Sequence, residues 1–260
     1  VTPFPAAPFL LAAPLLLAAA PLPPAHAPAP TAQARTCIDL VRAEPAKAVA
    51  SADDWRKKGG GLDAAQCGAL ALAALERWSE AAVSFEAAAL EAGRLHDLRA
   101  GDYWAQAGNA WLAGGDPARA RKDFDSALAE PALAPRLKGE VHLDRARASV
   151  AAGDAAGARV DIDRALALVP ADPVAWYLSA ALARRQSDFS RAKNDIAKAL
   201  ALAPEDPQLL LEAGTIAGAG GDAEAARTLY ARAAKAGPTT EAGKAAAAAL
   251  AADAEPQAPR

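Results

Sequence analysis

Histidine is nearly missing from this chain: 3 residues in 260, beside 2 cysteines. A metal site needs three or four convergent ligands, and none of the usual spacings occurs. His26 falls in the N-terminal segment, His96 in a linker beside Asp97, and His142 at a position expected to pack between helices. No Gly-x-Ser-x-Gly elbow is present. Gly218-Ala219-Gly220-Gly221 lacks the Lys-Ser/Thr ending of a phosphate loop and reads as a helix end and turn. These gaps argue against an enzyme, and no catalytic residue, cofactor or metal is expected.

Aromatic side chains make up only 5% of the chain, although 53% of it is hydrophobic. Much of the apolar content is alanine, too little bulk for one large core. Stacked helix pairs need less, because each buries its face only against its neighbours. No strand-like alternation stands out, which makes the chain all-α. The net charge is −3 and the basic residues are spread evenly, a pattern without the stripe that nucleic acid demands. Most carboxylates read as helix caps or solvated faces.

Long apolar runs are also lacking. Phe9 to Ala20, interrupted by Pro14, is too short to span a bilayer, and no later segment is suited to it. Small residues follow as Ala25-His26-Ala27 and Ala32-Gln33-Ala34. This is the layout of a secretory signal peptide within residues 1–34, cleaved after Ala27 or Ala34, although no Lys or Arg precedes the run. A Pro/Ala-rich tail is the alternative. The signal reading places the chain in the periplasm or outside the cell.

What the chain does have is a recurrence. Gly153-Asp154, Ser187-Asp188 and Gly221-Asp222 follow one another at 34 residues, with Gly115-Asp116 upstream at 38. Each pair suits a turn: a left-handed residue ends one helix and aspartate caps the next. A second ladder keeps the same period. Ala158, Ile162, Ala165 and Pro170 are followed by Ala192, Ile196, Ala199 and Pro204, then by Ala226, Tyr230, Ala233 and Pro238. The small-large-small spacing puts three residues on one helical face, and the proline stops the helix.

This pattern resembles the tetratricopeptide repeat (TPR) family. Residues 101–134 carry Trp104, Ala107, Gly108, Trp111, Ala120, Phe124 and Ala127; 207–240 carry Leu210, Ala213, Gly214, Ala226, Tyr230, Ala233 and Pro238. Residues 173–206 and 62–95 match at fewer positions, and 139–172 is the weakest copy. The resemblance implies a right-handed α-solenoid of five repeats. An irregular helical cap at 35–61 would precede it, with its first helix from Thr36 to Ala43. A capping helix at 241–253 and a disordered tail at 254–260 would follow. Trp78 stands in the first turn, where later copies have Gly-Asp, and is expected to pack there.

Cys67 falls on the first helix of the first repeat and Cys37 on the helix before it. Neighbouring helices can bring them together in a disulfide, which export would favour; two buried thiols are the alternative. The arginine of Ala34-Arg35-Thr36 departs from the bacterial lipoprotein pattern, so Cys37 is not read as a lipid-attachment site.

The family uses its first helices to line a concave groove. Here the resemblance assigns Gln106, Asn109, Leu143, Arg147, Tyr177, Arg184, Arg185 and Leu211 to that groove. Asparagine can hold a peptide amide, arginine a carboxylate, and tyrosine a flat apolar contact. The implied function is non-enzymatic: an envelope scaffold or adaptor binding a partner's peptide or helix. A self-assembling envelope component, for which homo-oligomers are open, and a regulatory subunit of an enzyme are the alternatives.

Overall fold

The computed structural model describes residues 31–254, in which thirteen helices follow one another: α1 Ala32–Ala43, α2 Pro45–Lys57, α3 Gly61–Ala74, α4 Trp78–Arg94, α5 Ala100–Ala113, α6 Pro117–Ala129, α7 Pro135–Ala151, α8 Ala155–Leu168, α9 Pro173–Arg185, α10 Phe189–Leu202, α11 Pro207–Ala219, α12 Ala223–Ala236 and α13 Glu241–Ala254. Helices α1 to α12 pair as antiparallel hairpins, and each hairpin stacks on the next as a right-handed α-solenoid. No described helix is long and apolar enough to cross a membrane. The Phe9–Ala20 run, the Ala25-His26-Ala27 site and the tail from residue 255 lie outside the described residues. The second cleavage site lies within them: Ala34 stands in the first turn of α1, where its N–H is capped by Thr31 Oγ1. Helix α1 thus starts four residues before the expected Thr36, because Thr31 supplies the cap.

The turns follow from the Gly-Asp pairs. Gly115, Gly153 and Gly221 take φ of 80°, 80° and 85°, the left-handed region that a Cβ disfavours. Ser187 accepts φ 61° at the equivalent place, and Glu76 φ 57°. Asp116, Asp154, Asp188 and Asp222 each accept a hydrogen bond from a backbone N–H three residues on. Asp172 and Asp206 cap α9 and α11 with proline at the first helical position. The first repeat has Arg77 there, without a side-chain cap, and Trp78 instead packs its Cβ against the backbone turn at Gly114.

The core is a string of apolar clusters along the stack. Ala120, Phe124 and Ala127 are buried, as are Ala158, Ile162 and Ala165, and Ala192, Ile196 and Ala199. The small residues let the hairpin close: a Cβ on Gly108 would stand 2.6 Å from the Phe124 ring. At the N-terminal end Cys37 and Cys67 are bonded, Cα to Cα 6.1 Å, beside Ala52 and half-buried Trp55. The bridge fastens α1 to α3.

Candidate partner-binding groove

Helices α7 and α9, the first helices of successive hairpins, frame a pocket of about 200 Å³. Val150, Leu178 and Ala181 contribute apolar wall; Arg147, Tyr177 and Arg185 stand at its polar edge. Arg185 is exposed in the last turn of α9, where a cation is favoured by the helix dipole, and no described residue pairs with it. Arg147 pairs with Asp144 three residues back. Burial pushes the Asp144 carboxyl up, while Arg147 and Asn109 pull against that. The pocket is therefore apolar inside and positive at one rim.

The other assigned groove residues behave differently. Asn109 is exposed and donates from Nδ2 to Asp144 Oδ2 at 3.1 Å, so its amide links α5 to α7. Arg184 donates to both carboxylate oxygens of Glu212, at 2.7 and 3.4 Å, which ties α9 to α11 and raises the guanidinium pKa. Leu143 is 3% exposed, packed on Ala165 and Ala175, and offers the groove nothing. It lies midway along α7, on the face packed against α8 and α9. Leu211 is half-buried against the Leu210, Ala233 and Ala246 cluster. Gln106 is half-buried and donates to its own helix at the Asp102 carbonyl, 3.2 Å. The Tyr177 hydroxyl accepts from Gln208 Nε2 at 2.9 Å, which fixes the ring at the pocket edge. Of the eight, Arg147, Tyr177 and Arg185 converge on one pocket.

A second set of polar residues, read from sequence as solvated, is buried. Asp123, Asp161 and Asp195 recur at one repeat position and are each 4–5% exposed. Asp161 takes Arg145 Nε at 2.9 Å and His142 Nδ1 at 3.0 Å. Burial opposes its charge, but these bonds outweigh it and hold the carboxyl at about 2. His142 thus packs between α7 and α8, as expected, and is also a hydrogen-bonding partner of a buried acid. Asp195 takes Ser179 Oγ at 2.6 Å. The only sequence signal was the recurrence of an acid in the ladder, one residue before the large apolar position.

No protein-family model and no curated protein matches the chain. Solved structures do match. PilW, described as a widely conserved type IV pilus biogenesis factor, aligns with a TM-score of 0.67 at 22% identity, over 82% of this chain and 96% of PilW. PilF of Pseudomonas aeruginosa aligns at 0.65 and 14%, over 84% and 96%. YrrB, described as a TPR protein with an unusual peptide-binding site, aligns at 0.52 and 16%, over 75% and 96%. The fold is a TPR solenoid. Identities this low speak to the fold alone. Within the TPR frame, α3, α5, α7, α9 and α11 are the first helices of the repeats, and the α7–α9 pocket lies between two of them.

Proposed function

We propose that this TPR chain is a non-enzymatic scaffold or adaptor of the bacterial envelope. It binds a peptide or helix of a protein partner on the face formed by its first helices. The observation that carries this reading is the α7–α9 pocket, where apolar Val150, Leu178 and Ala181 meet Arg147, Tyr177 and Arg185. An aliphatic side chain fills such a wall, and a neighbouring carboxylate meets the arginines in charge-assisted hydrogen bonds. Export is supported by the Cys37–Cys67 bond, which persists in oxidising compartments. The likeness to PilW, itself a pilus biogenesis factor, is compatible with an envelope assembly role.

The test is recovery of a partner from native envelope by the wild chain and by Arg147→Glu with Arg185→Glu. Both arginines lie at the surface, so helicity is expected to be unchanged and recovery to fall at least about tenfold, the equivalent of 1.4 kcal/mol. Unchanged recovery with intact helicity removes the pocket from the account. A wild chain that sediments as an ordered self-assembly, with no heterologous partner, favours the structural-component alternative.

A further inference from the structure

Along the second helices, three successive junctions between hairpins, from α4 to α10, each carry two acids facing one another. Where α6 meets α8 they are Asp125 and Asp161, and Arg145 donates to both. Where α8 meets α10 they are Asp163 and Asp195, and Arg191 donates to both. The chain thus shows twice what satisfies such a pair: one guanidinium between two carboxylates.

Where α4 meets α6 the pair is Glu86 and Asp123, and no cation among the described residues bridges it. The position of Arg145 is taken by Ala107. The counterpart of Arg191 is Arg119, which instead stacks over the Trp111 ring at 4.5 Å and pairs with Asp116. Asp123 Oδ2 is buried without a hydrogen-bond partner, in a residue 4% exposed. Glu86 accepts the Trp111 indole N–H, at 2.7 Å, and its other hydrogen bond is to the Asp123 carboxyl when that group holds a proton. Both acids line an open groove of about 470 Å³, room enough for a long side chain, with Arg119 and Lys122 also on its wall but neither hydrogen-bonded to the pair. Its outer walls are Val83 and Leu90 of α4, 53% and 63% exposed.

We propose that this groove docks an arginine side chain of a protein partner, its guanidinium bridging Glu86 and Asp123 and its apolar neighbours lying on Val83 and Leu90. The two bridged junctions select the cation: there a guanidinium's fork of donors matches two carboxyl groups, and here Arg119 and Lys122 leave that place unfilled. The exposed valine and leucine favour a peptide over a free guanidinium, because they give flanking side chains something to cover. Burial, and Glu86 beside it, push the Asp123 carboxyl up to about 7, so docking near neutrality releases a proton. This surface is separate from the α7–α9 pocket, and neither proposal depends on the other.

The indole N–H of Trp111 reports on the pair by proton–nitrogen NMR of the full chain. The probe is acetyl-Leu-Arg-Leu-amide. Its citrulline counterpart is the neutral isostere, and arginine amide the source without flanking residues. A saturable shift is expected with the arginine peptide, with a Kd in about the millimolar range and at least about tenfold tighter than with either control. Ala107→Arg, which supplies the chain's own guanidinium, is expected to abolish the shift. Glu86→Gln, which keeps an acceptor for the indole, is expected to weaken it about tenfold, and serves if Ala107→Arg does not fold. No saturable shift in the wild chain, or equal shifts from the arginine and citrulline peptides, overturns the proposal. Arginine amide binding as tightly as the peptide overturns the protein partner. Binding that appears only after Arg119→Ala shows that Arg119 already serves the pair, and overturns it as well.

Discussion

Arg184 and Glu212, one on α9 and the other on α11, are joined by a 2.7 Å hydrogen bond across two hairpins, with Glu212 only 8% exposed. The bond makes Arg184 part of the stack rather than part of a ligand site, whereas its neighbour Arg185 reaches the α7–α9 pocket. The two arginines should therefore separate by phenotype. Arg184→Ala leaves a buried carboxylate without its cation and is expected to cost about 1–3 kcal/mol, discounted for the partial exposure of the guanidinium. Arg185→Ala is expected to leave stability within about 0.5 kcal/mol. Urea unfolding of both variants checks this; equal losses would place Arg185 in the scaffold too.

Asp161 keeps its charge although it is buried, because Arg145 and His142 hydrogen-bond it. Its folded carboxyl is held at about 2, below the ordinary aspartate value of 3.8, so it contributes stability above about pH 4 that is lost as pH falls through 2. Arg145→Met is expected to remove this contribution and to cost about 3–5 kcal/mol at neutral pH, the loss typical of breaking a buried ion pair from one side. Thermal unfolding at pH 7 and pH 3 should show the variant's deficit shrinking with acid. A deficit of the same size at both pH values would mean that packing, not charge, is what Arg145 supplies.

Asp123 should show the opposite sign. Its folded carboxyl is pushed up to about 7 by burial and by Glu86 beside it, so the folded chain holds a proton that the unfolded chain gives up near pH 4. Stability therefore falls as pH rises between about 4 and 7. Asp123→Asn, which cannot ionise, is expected to melt higher than the wild chain at pH 8, by about 2–4 °C for each kcal/mol recovered. At pH 4 the two should melt together. A variant that melts lower at pH 8 would show that the charged form is stabilised in the fold.

The turns and the ladder were legible because they depend on residues close in sequence. Aspartate caps a helix three residues away, and alanine recurs on one face whatever the neighbouring repeat contains. The groove was less legible. That Asn109 hydrogen-bonds Asp144 depends on how one hairpin is set against the next, 35 residues later. Leu143 looked like a groove residue by its repeat position, yet the packing of α7 on α8 and α9 covers it. The acids at 123, 161 and 195 resembled solvated ones because most acids in this chain are solvated or capping. Only the pairing of α6, α8 and α10 with their neighbours reveals them as buried.

The Cys37–Cys67 bond closes a loop across a sequence separation of 30 residues. In the chain-entropy account that is worth about 3–4 kcal/mol. Reduction, or Cys37→Ala with Cys67→Ala, is expected to loosen α1 and α2 first, because these helices hold only the end of the stack. Hydrogen exchange read helix by helix checks it. Uniform loss of protection along the whole chain would contradict a role confined to the N-terminal cap.

Close approach within a hairpin has its own test. Gly108→Ala places a Cβ against the buried Phe124 ring and is expected to cost about 1–3 kcal/mol through overpacking, despite alanine's better helix propensity. Unfolding in urea would show it, and a stabilised variant would mean that α5 and α6 are further apart than described.

The central claim is that a partner's chain lies over the α7–α9 pocket. A photoreactive residue in place of Ala181, at the pocket, and separately in place of exposed Leu202, at the end of α10 and outside both proposed surfaces, gives the most direct measurement. Crosslinking in native envelope should yield one defined adduct from position 181, absent from position 202 and lost when Arg147→Glu and Arg185→Glu are added. An adduct formed at position 202 but not at 181, or one at 181 indifferent to the two arginines, would contradict the account.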